Sequence, residues 1–378
     1  MYVEIVEAVP GDAGRDDPLV LTERCDMGSV SAGGEAFAPQ MTYQDVINLA
    51  PTLKANGIKI ALAIQAHKLG NSTKMNAIAN VINAMGAANV YPWLVLSWCD
   101  GYFVNDTNYN TFATAANSLD TWWRITKGYA PTTFIVDEEL RWARSRQFSG
   151  ATATNKITLM QNWTNTTNYN NARTALANLV TNFKNKGWAV QGTTAAVALD
   201  DFYDGDEGIM KGWGTPITGI SWSRISWQAY RTIFMAQCAP LTVMSNFFVY
   251  DYLNTAKNLP WSTKFPNTTL GVDIGLTEPG PVFPEGLDYL DVFLTQGVAK
   301  ELSLDVEAAN SAGQTNTSIG VYDLQGAACK VNSNGTSVTC SVSNITSLIA
   351  PRIGQSAPLP DTCTPTIHTA MHVLDAAL

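Results

Sequence analysis

Short runs of β-branched and aromatic residues alternate with longer helix-like stretches along all 378 residues, and this alternation narrows the possible folds more than any other feature. Strands are expected at 3–8, 58–65, 90–98, 132–138, 189–200, 242–250, 269–275 and 318–323. Helices are expected at 43–55, 74–87, 109–127, 170–186, 222–237, near 252–258, at 286–309 and at 365–377. Eight strands each followed by a helix make the α/β pattern of a (β/α)8 TIM barrel, which a chain of this length fills as one domain, 1–378. An open doubly wound sheet would need a glycine-rich turn after its first strand, and neither GxGxxG nor GxxxxGK[ST] occurs. Long connections at 9–42 and 201–221 follow strand C-terminal ends, where barrel enzymes build their sites. A cysteine-bearing excursion at 325–364 precedes the last helix.

Charged residues make up only 15% of the chain, against a usual share of about 25%, so Asn, Thr, Ser and Gln must keep the surface polar. The net charge of -9 argues against nucleic acid as a partner. With three histidines, His67, His368 and His372, a histidine-rich zinc centre has little material, and no cofactor or metal is expected. No run approaches the roughly 18 apolar residues of a membrane span. Neutral or cationic substrates fit this balance better, and a monomer is expected.

Six cysteines show no CxxC spacing, but Cys329 and Cys340 flank a turn-rich stretch suited to a local disulfide. Eight N-x-S/T sequons start at Asn71, Asn105, Asn162, Asn165, Asn267, Asn316, Asn334 and Asn344, a modest excess over chance. Together these point to a secreted, glycosylated protein. No signal-like apolar region follows Met1, which fits a mature form or another route of export.

The chemistry is expected in acids and aromatics at strand ends. Trp98, Asp100 and Tyr102 follow the third expected strand, Asp137, Glu138 and Glu139 the fourth, Asp200 and Asp201 the fifth, and Tyr250 and Asp251 the sixth. Asp273 and Glu278 belong to the seventh, and Tyr322 and Asp323 to the eighth. Carboxyls held close together raise one another's pKa, so one can stay protonated as a general acid while another is ionised, as glycosidic cleavage requires. Trp and Tyr rings suit the C–H faces of sugars, with Trp98, Trp142, Trp213, Trp222, Trp227 and Tyr203 as candidates.

The order of motifs LSWCDG (96–101), VDEE (136–139), VYDY (249–252) and GVYD (320–323) resembles glycoside hydrolase family 18, the chitinase-like barrels. The resemblance implies Glu139 as proton donor and Asp137 as the neighbouring carboxylate that orients a substrate acetamido group. It also implies contacts to that group from Tyr250 and Asp251. Asp137 and Glu139 share a strand face, while Glu138 points the other way. The sequence departs from the family pattern at Thr132 and Ile135, where Asp is expected, and at Tyr322, where Trp is expected. A second pattern, similar to the two-glutamate retaining barrels, takes Glu138 as acid and Glu278, in LTEPG, as nucleophile. A third pairs Asp137 with Asp200 or Asp201.

A barrel that binds carbohydrate or inhibits another enzyme without catalysis, and a metal-dependent hydrolase, are the readings of a different class. His67 follows the second strand at the catalytic face. His368 and His372, four apart on the last helix, have metal-ligand spacing but no acidic neighbour in sequence, so packing is expected. The Asp204–Glu207 stretch offers oxygen ligands without the spacing of a calcium loop, and reads as a solvated rim.

Overall fold

A computed structural model describes residues 2–5, 43–96, 103–140, 144, 147–148, 151–231, 244–259, 261–275, 298–315, 318–322, 329–331, 338–340 and 357–378. Eight of the described strands close into an all-parallel barrel in sequence order. They are β1 (Tyr2–Ile5), β2 (Lys59–Gln65), β3 (Val90–Val95), β4 (Thr133–Asp137), β5 (Ala189–Ala195), β6 (Arg224–Gln228), β7 (Thr269–Gly275) and β8 (Ile319–Tyr322). Closure is direct, with Tyr2 of β1 in register with Gly320 of β8. The (β/α)8 TIM barrel expected from the alternation is the observed fold.

Helices α1 (Tyr43–Ala55), α2 (Ser72–Met85), α3 (Tyr109–Asp120), α4 (Ala153–Trp163) and α5 (Thr166–Asn185) fill the connections up to β5. Later come α6 (Gly208–Trp213), α7 (Phe247–Asn258), α8 (Trp261–Lys264), α9 (Val298–Ser311) and α10 (Cys363–Asp375). Their inward stripes follow the helical period. On α5 the buried residues are Tyr169, Ala172, Leu176, Leu179, Val180 and Phe183. Asn165 caps this helix by accepting from the Asn168 amide at 2.9 Å, and Asn71 caps α2 by accepting from that of Lys74 at 3.0 Å.

Strand periodicity divides each strand between two cores. Ile60, Leu62, Ile64, Phe134, Val136, Ile225, Trp227, Val272 and Ile274 face the helices in the main core. Ala61, Ala63, Trp93, Val95 and Ile135 form a separate apolar cluster inside the barrel on the β2–β4 side. The other half of the lumen is polar: Gln191 Nε2 donates to Thr193 Oγ1 at 3.1 Å, and Ser226 Oγ donates to Asp273 Oδ1 at 2.6 Å. Gly271 leaves room there for the Arg224 guanidinium, which donates to the Ser318 carbonyl at 2.5 Å.

Two expected elements are corrected. The sixth strand is Arg224–Gln228, inside the stretch expected as a helix, and most of 242–250 is not a strand because its FFVY end opens α7. In RISWQ, Ile225 and Trp227 alternate with inward Arg224, Ser226 and Gln228, whereas Phe248, Val249, Tyr252, Leu253 and Ala256 recur at helical spacing. The fifth strand also stops at Ala195, and Ala196–Phe202 winds into a 3₁₀ helix.

Beyond β8, β9 (Cys329–Val331) and β10 (Val338–Cys340) pair antiparallel with Cys329 opposite Cys340. Cys363, the first residue of α10, is disulfide-bonded. One sequon is unsuitable for a glycan: Asn105 is fully buried and accepts from the amide and hydroxyl of Thr107. Among the described residues no helix is long and apolar enough to cross a membrane.

Candidate active site at the carboxyl end of the barrel

Inward alternation on β4 carries Ile135 into the lumen and Asp137, two residues on, to the mouth, where it is buried. From β6, Gln228 reaches across and donates Nε2 to Asp137 Oδ1 at 3.1 Å. The same side chain is hydrogen-bonded to Glu139, just past the strand end. Glu139 keeps part of its surface in solvent, but its carboxyl lies among enough protein atoms for burial to push it up to about 7, against which the Gln228 bond pulls downward. Asp273 stands in register with Gln228 on β7 and extends this polar wall. The result is a carboxyl that holds its proton near neutral pH, next to a second carboxyl group, at the barrel face that β/α enzymes use.

Glu138 takes the opposite direction. Its amide bonds to the Thr193 carbonyl at 2.7 Å, while its carboxyl is fully buried with no hydrogen-bond partner among the described residues. Burial pushes it well above the usual carboxylate range and so favours its neutral form.

Asp200 and Asp201 are not at a strand end but on the 3₁₀ helix after β5, and both are buried. Asp200 Oδ2 accepts from the Tyr252 hydroxyl at 2.7 Å. Its Oδ1 lies 2.5 Å from His368 Nδ1 and 3.2 Å from His372 Nε2. His368 Nε2 is 3.0 Å from Asp251 Oδ2, and Tyr203, largely exposed, stacks on His372 at 3.9 Å. Burial lowers the His368 pKa, but the two carboxylates outweigh it and raise the group to about 9. The two histidines thus have an acidic neighbour in space that the sequence hides. Asp201 caps α6, accepting from the amides of Ile209 and Met210 at 2.7 and 2.9 Å, and it is hydrogen-bonded to Asp375.

Tyr250 and Asp251 sit on α7, so the Tyr-Asp pair of the chitinase-like pattern does not fall on a strand. Trp222 is fully buried before β6, with Nε1 donating to the Ile217 carbonyl at 2.9 Å, which makes it a packing residue rather than a sugar platform. Trp213 and Trp227 are buried in the main core as well. His67 lies on an exposed turn after β2. Within Asp204–Glu207, Glu207 is ion-paired with Arg173, and Asp206 accepts from the Gly208 amide at 2.7 Å. Tyr322 is the last residue of β8, in register with Gly275. Trp98, Asp100, Tyr102, Trp142, Glu278 and Asp323 lie outside the described residues. Gln228 and Tyr252 are the site residues that the sequence reading missed. Inward alternation along RISWQ was the available signal for Gln228.

The sequence matches no protein-family profile and no curated protein. Solved structures give faint likenesses. One is a beta-glucosidase 1317, at 13% identity and a TM-score of 0.45, over 84% of this chain and 89% of that one. Another is a GH5-4 broad specificity endoglucanase from Bacteroides salanitronis, at 11% identity and 0.42, over 93% and 90%. The catalytic domain of a mannanase from Streptomyces sp. SirexAA-E stands at 11% identity and 0.34, over 74% and 71%. At such values the functional reading rests on the geometry of the mouth.

Proposed function

We propose that the protein is a glycoside hydrolase that cleaves a polysaccharide or oligosaccharide at the carboxyl end of the barrel, with Glu139 as general acid. The observation that carries this is the Asp137–Gln228–Glu139 arrangement, in which one amide holds two carboxyls and burial pushes one of them up to about 7. A protonated Glu139 would deliver its proton to the glycosidic oxygen as the bond to the sugar carbon breaks, Asp137 would steady the positive charge that develops on the ring, and water would then add to that carbon and return a proton to Glu139. Gln228 keeps the two in a fixed relation and limits how far Glu139 rises. The charge-poor, Ser/Thr-rich composition and the facing Cys329 and Cys340 support a secreted enzyme.

The test is release of reducing ends from a panel of β- and α-linked glucans, mannans and chitin, with Glu139→Gln and Glu138→Gln compared. Loss of turnover by a factor of about 10² to 10⁴ in the first and near-full activity in the second is the expected result. A Glu139→Gln protein that hydrolyses at the wild-type rate overturns the assignment. A fully folded protein that binds but cleaves none of them would mark a silent carbohydrate-binding barrel instead.

A further inference from the structure

We propose that Asp200, His368 and His372 form a binding site for one divalent transition-metal ion of the zinc type, which fastens α10 to the 3₁₀ helix after β5. The three offer a carboxylate oxygen and two imidazole nitrogens, all within 4.8 Å of one another. That donor set suits zinc and its neighbours rather than calcium or magnesium, which prefer oxygen alone. His368 and His372 are one helical turn apart on α10, so both rings meet Asp200 from one face.

The surroundings are those of a prepared site. Metal-binding imidazoles ordinarily donate their second nitrogen to a carboxylate, and ligating carboxylates are hydrogen-bonded in turn. Both features are present. His368 turns Nδ1 toward Asp200 and Nε2 toward Asp251 Oδ2 at 3.0 Å. The oxygen of Asp200 that does not face the histidines accepts from Tyr252 at 2.7 Å. Tyr252 and Tyr203 stack on His368 and His372 at 4.3 and 3.9 Å and fix both ring planes.

In a tetrahedral zinc site with bonds of about 2.0 Å the donors stand about 3.3 Å apart. Asp200 Oδ1 is 3.2 Å from His372 Nε2 and 2.5 Å from His368 Nδ1, so the first pair already has this spacing, the second must open by less than about 1 Å, and the two imidazole donors, within 4.8 Å of each other, must close by at most about 1.5 Å. Uptake replaces the proton held between Asp200 and His368, and water completes the coordination on the more exposed His372 side. The site is independent of the glycosidase reading, since none of its residues belongs to the Asp137–Glu139 group.

The full chain, stripped with a chelator and dialysed, is titrated with zinc alone by calorimetry, with cobalt absorption reporting geometry. One equivalent per chain, a raised melting temperature and the intense visible bands of tetrahedral cobalt are expected. His372→Asn, at a partly exposed position, should abolish uptake while melting like the metal-free parent, and Asp251→Asn should weaken affinity about 10- to 100-fold at unchanged stoichiometry. Asp206→Asn should bind as the parent does. No stoichiometric uptake by the folded parent, or equal affinity in His372→Asn, overturns the proposal. So does loss of uptake in Asp206→Asn, which would put the ion on the neighbouring Asp201, Asp206 and Asp375 carboxylates.

Discussion

Gln228 and Asp137 are 91 residues apart in sequence, yet the amide of one donates to the carboxyl of the other at 3.1 Å across the barrel mouth. The same amide bonds to Glu139 and works against the rise caused by burial. Replacing Gln228 with Leu removes that opposition. The proton on Glu139 is then held more tightly, and the alkaline limb of kcat/KM, expected near pH 7 in the parent, moves to higher pH in the variant. A pH–rate series on both proteins checks this; a limb that stays in place separates Gln228 from Glu139.

Glu138 provides a stability prediction. Its buried carboxyl is held well above its ordinary value of 4.5 by burial. Between that ordinary value and the raised one the folded state binds more protons than the unfolded state, so stability falls as pH rises through that window. Glu138→Gln carries no ionisable proton. It should flatten this slope, and its melting temperature should gain on the parent more at pH 8 than at pH 5, as calorimetric scans at the two values would show.

Asp120 shows the opposite sign. Burial works to raise its pKa, but hydrogen bonds from Arg124, Lys186 and Trp188 outweigh it and hold the carboxyl well below the usual range. The stabilisation is therefore complete above about pH 4 and is lost as pH falls below it. The bonds from Lys186 Nζ and Trp188 Nε1, both 2.8 Å, tie α3 to the segment between α5 and β5. Asp120→Ala should cost about 2–3 kcal/mol in urea unfolding at pH 7, tempered by the partial exposure of both cations, and much less at pH 3.

Gly192 on β5 turns its α-carbon toward the indole of Trp222, and an added Cβ would lie 2.9 Å from ring atom Cε2. The ring is fully buried and bonded to Ile217, so it has little freedom to retreat. Gly192→Ala should destabilise by about 1–3 kcal/mol. Unchanged denaturant midpoints would mean that the ring has somewhere to go.

How legible the molecule was depended on whether periodicity was local. The β7 sequence TLGVDIG and the α1 sequence from Tyr43 to Ala55 read correctly to the residue, because burial follows their own spacing. β6 did not. Arg224, Ser226 and Gln228 point into a polar lumen, so RISWQ lacks the apolar run that marks most buried parallel strands. Missing that strand also hid Gln228. The Asp200–His368 contact joins residues 168 positions apart, and no spacing rule reaches over that distance. The close-set acids of VDEE were visible, but the burial that separates Glu138 from Glu139 is a property of the assembled barrel.

The divided lumen has one further consequence. Asp137 stands on the strand where the dry cluster of Ala61, Ala63, Trp93, Val95 and Ile135 meets the hydrogen-bonding wall of Thr193, Ser226 and Gln228. Beneath Gln65, which ends β2, the lumen wall toward β2 and β3 responds weakly to a charge and the wall toward β5 and β6 responds strongly, so the barrel interior carries a built-in gradient of polarisability. A charge that develops beside Asp137 is therefore met by more polarisable surroundings on its β5–β6 side than on its β3 side.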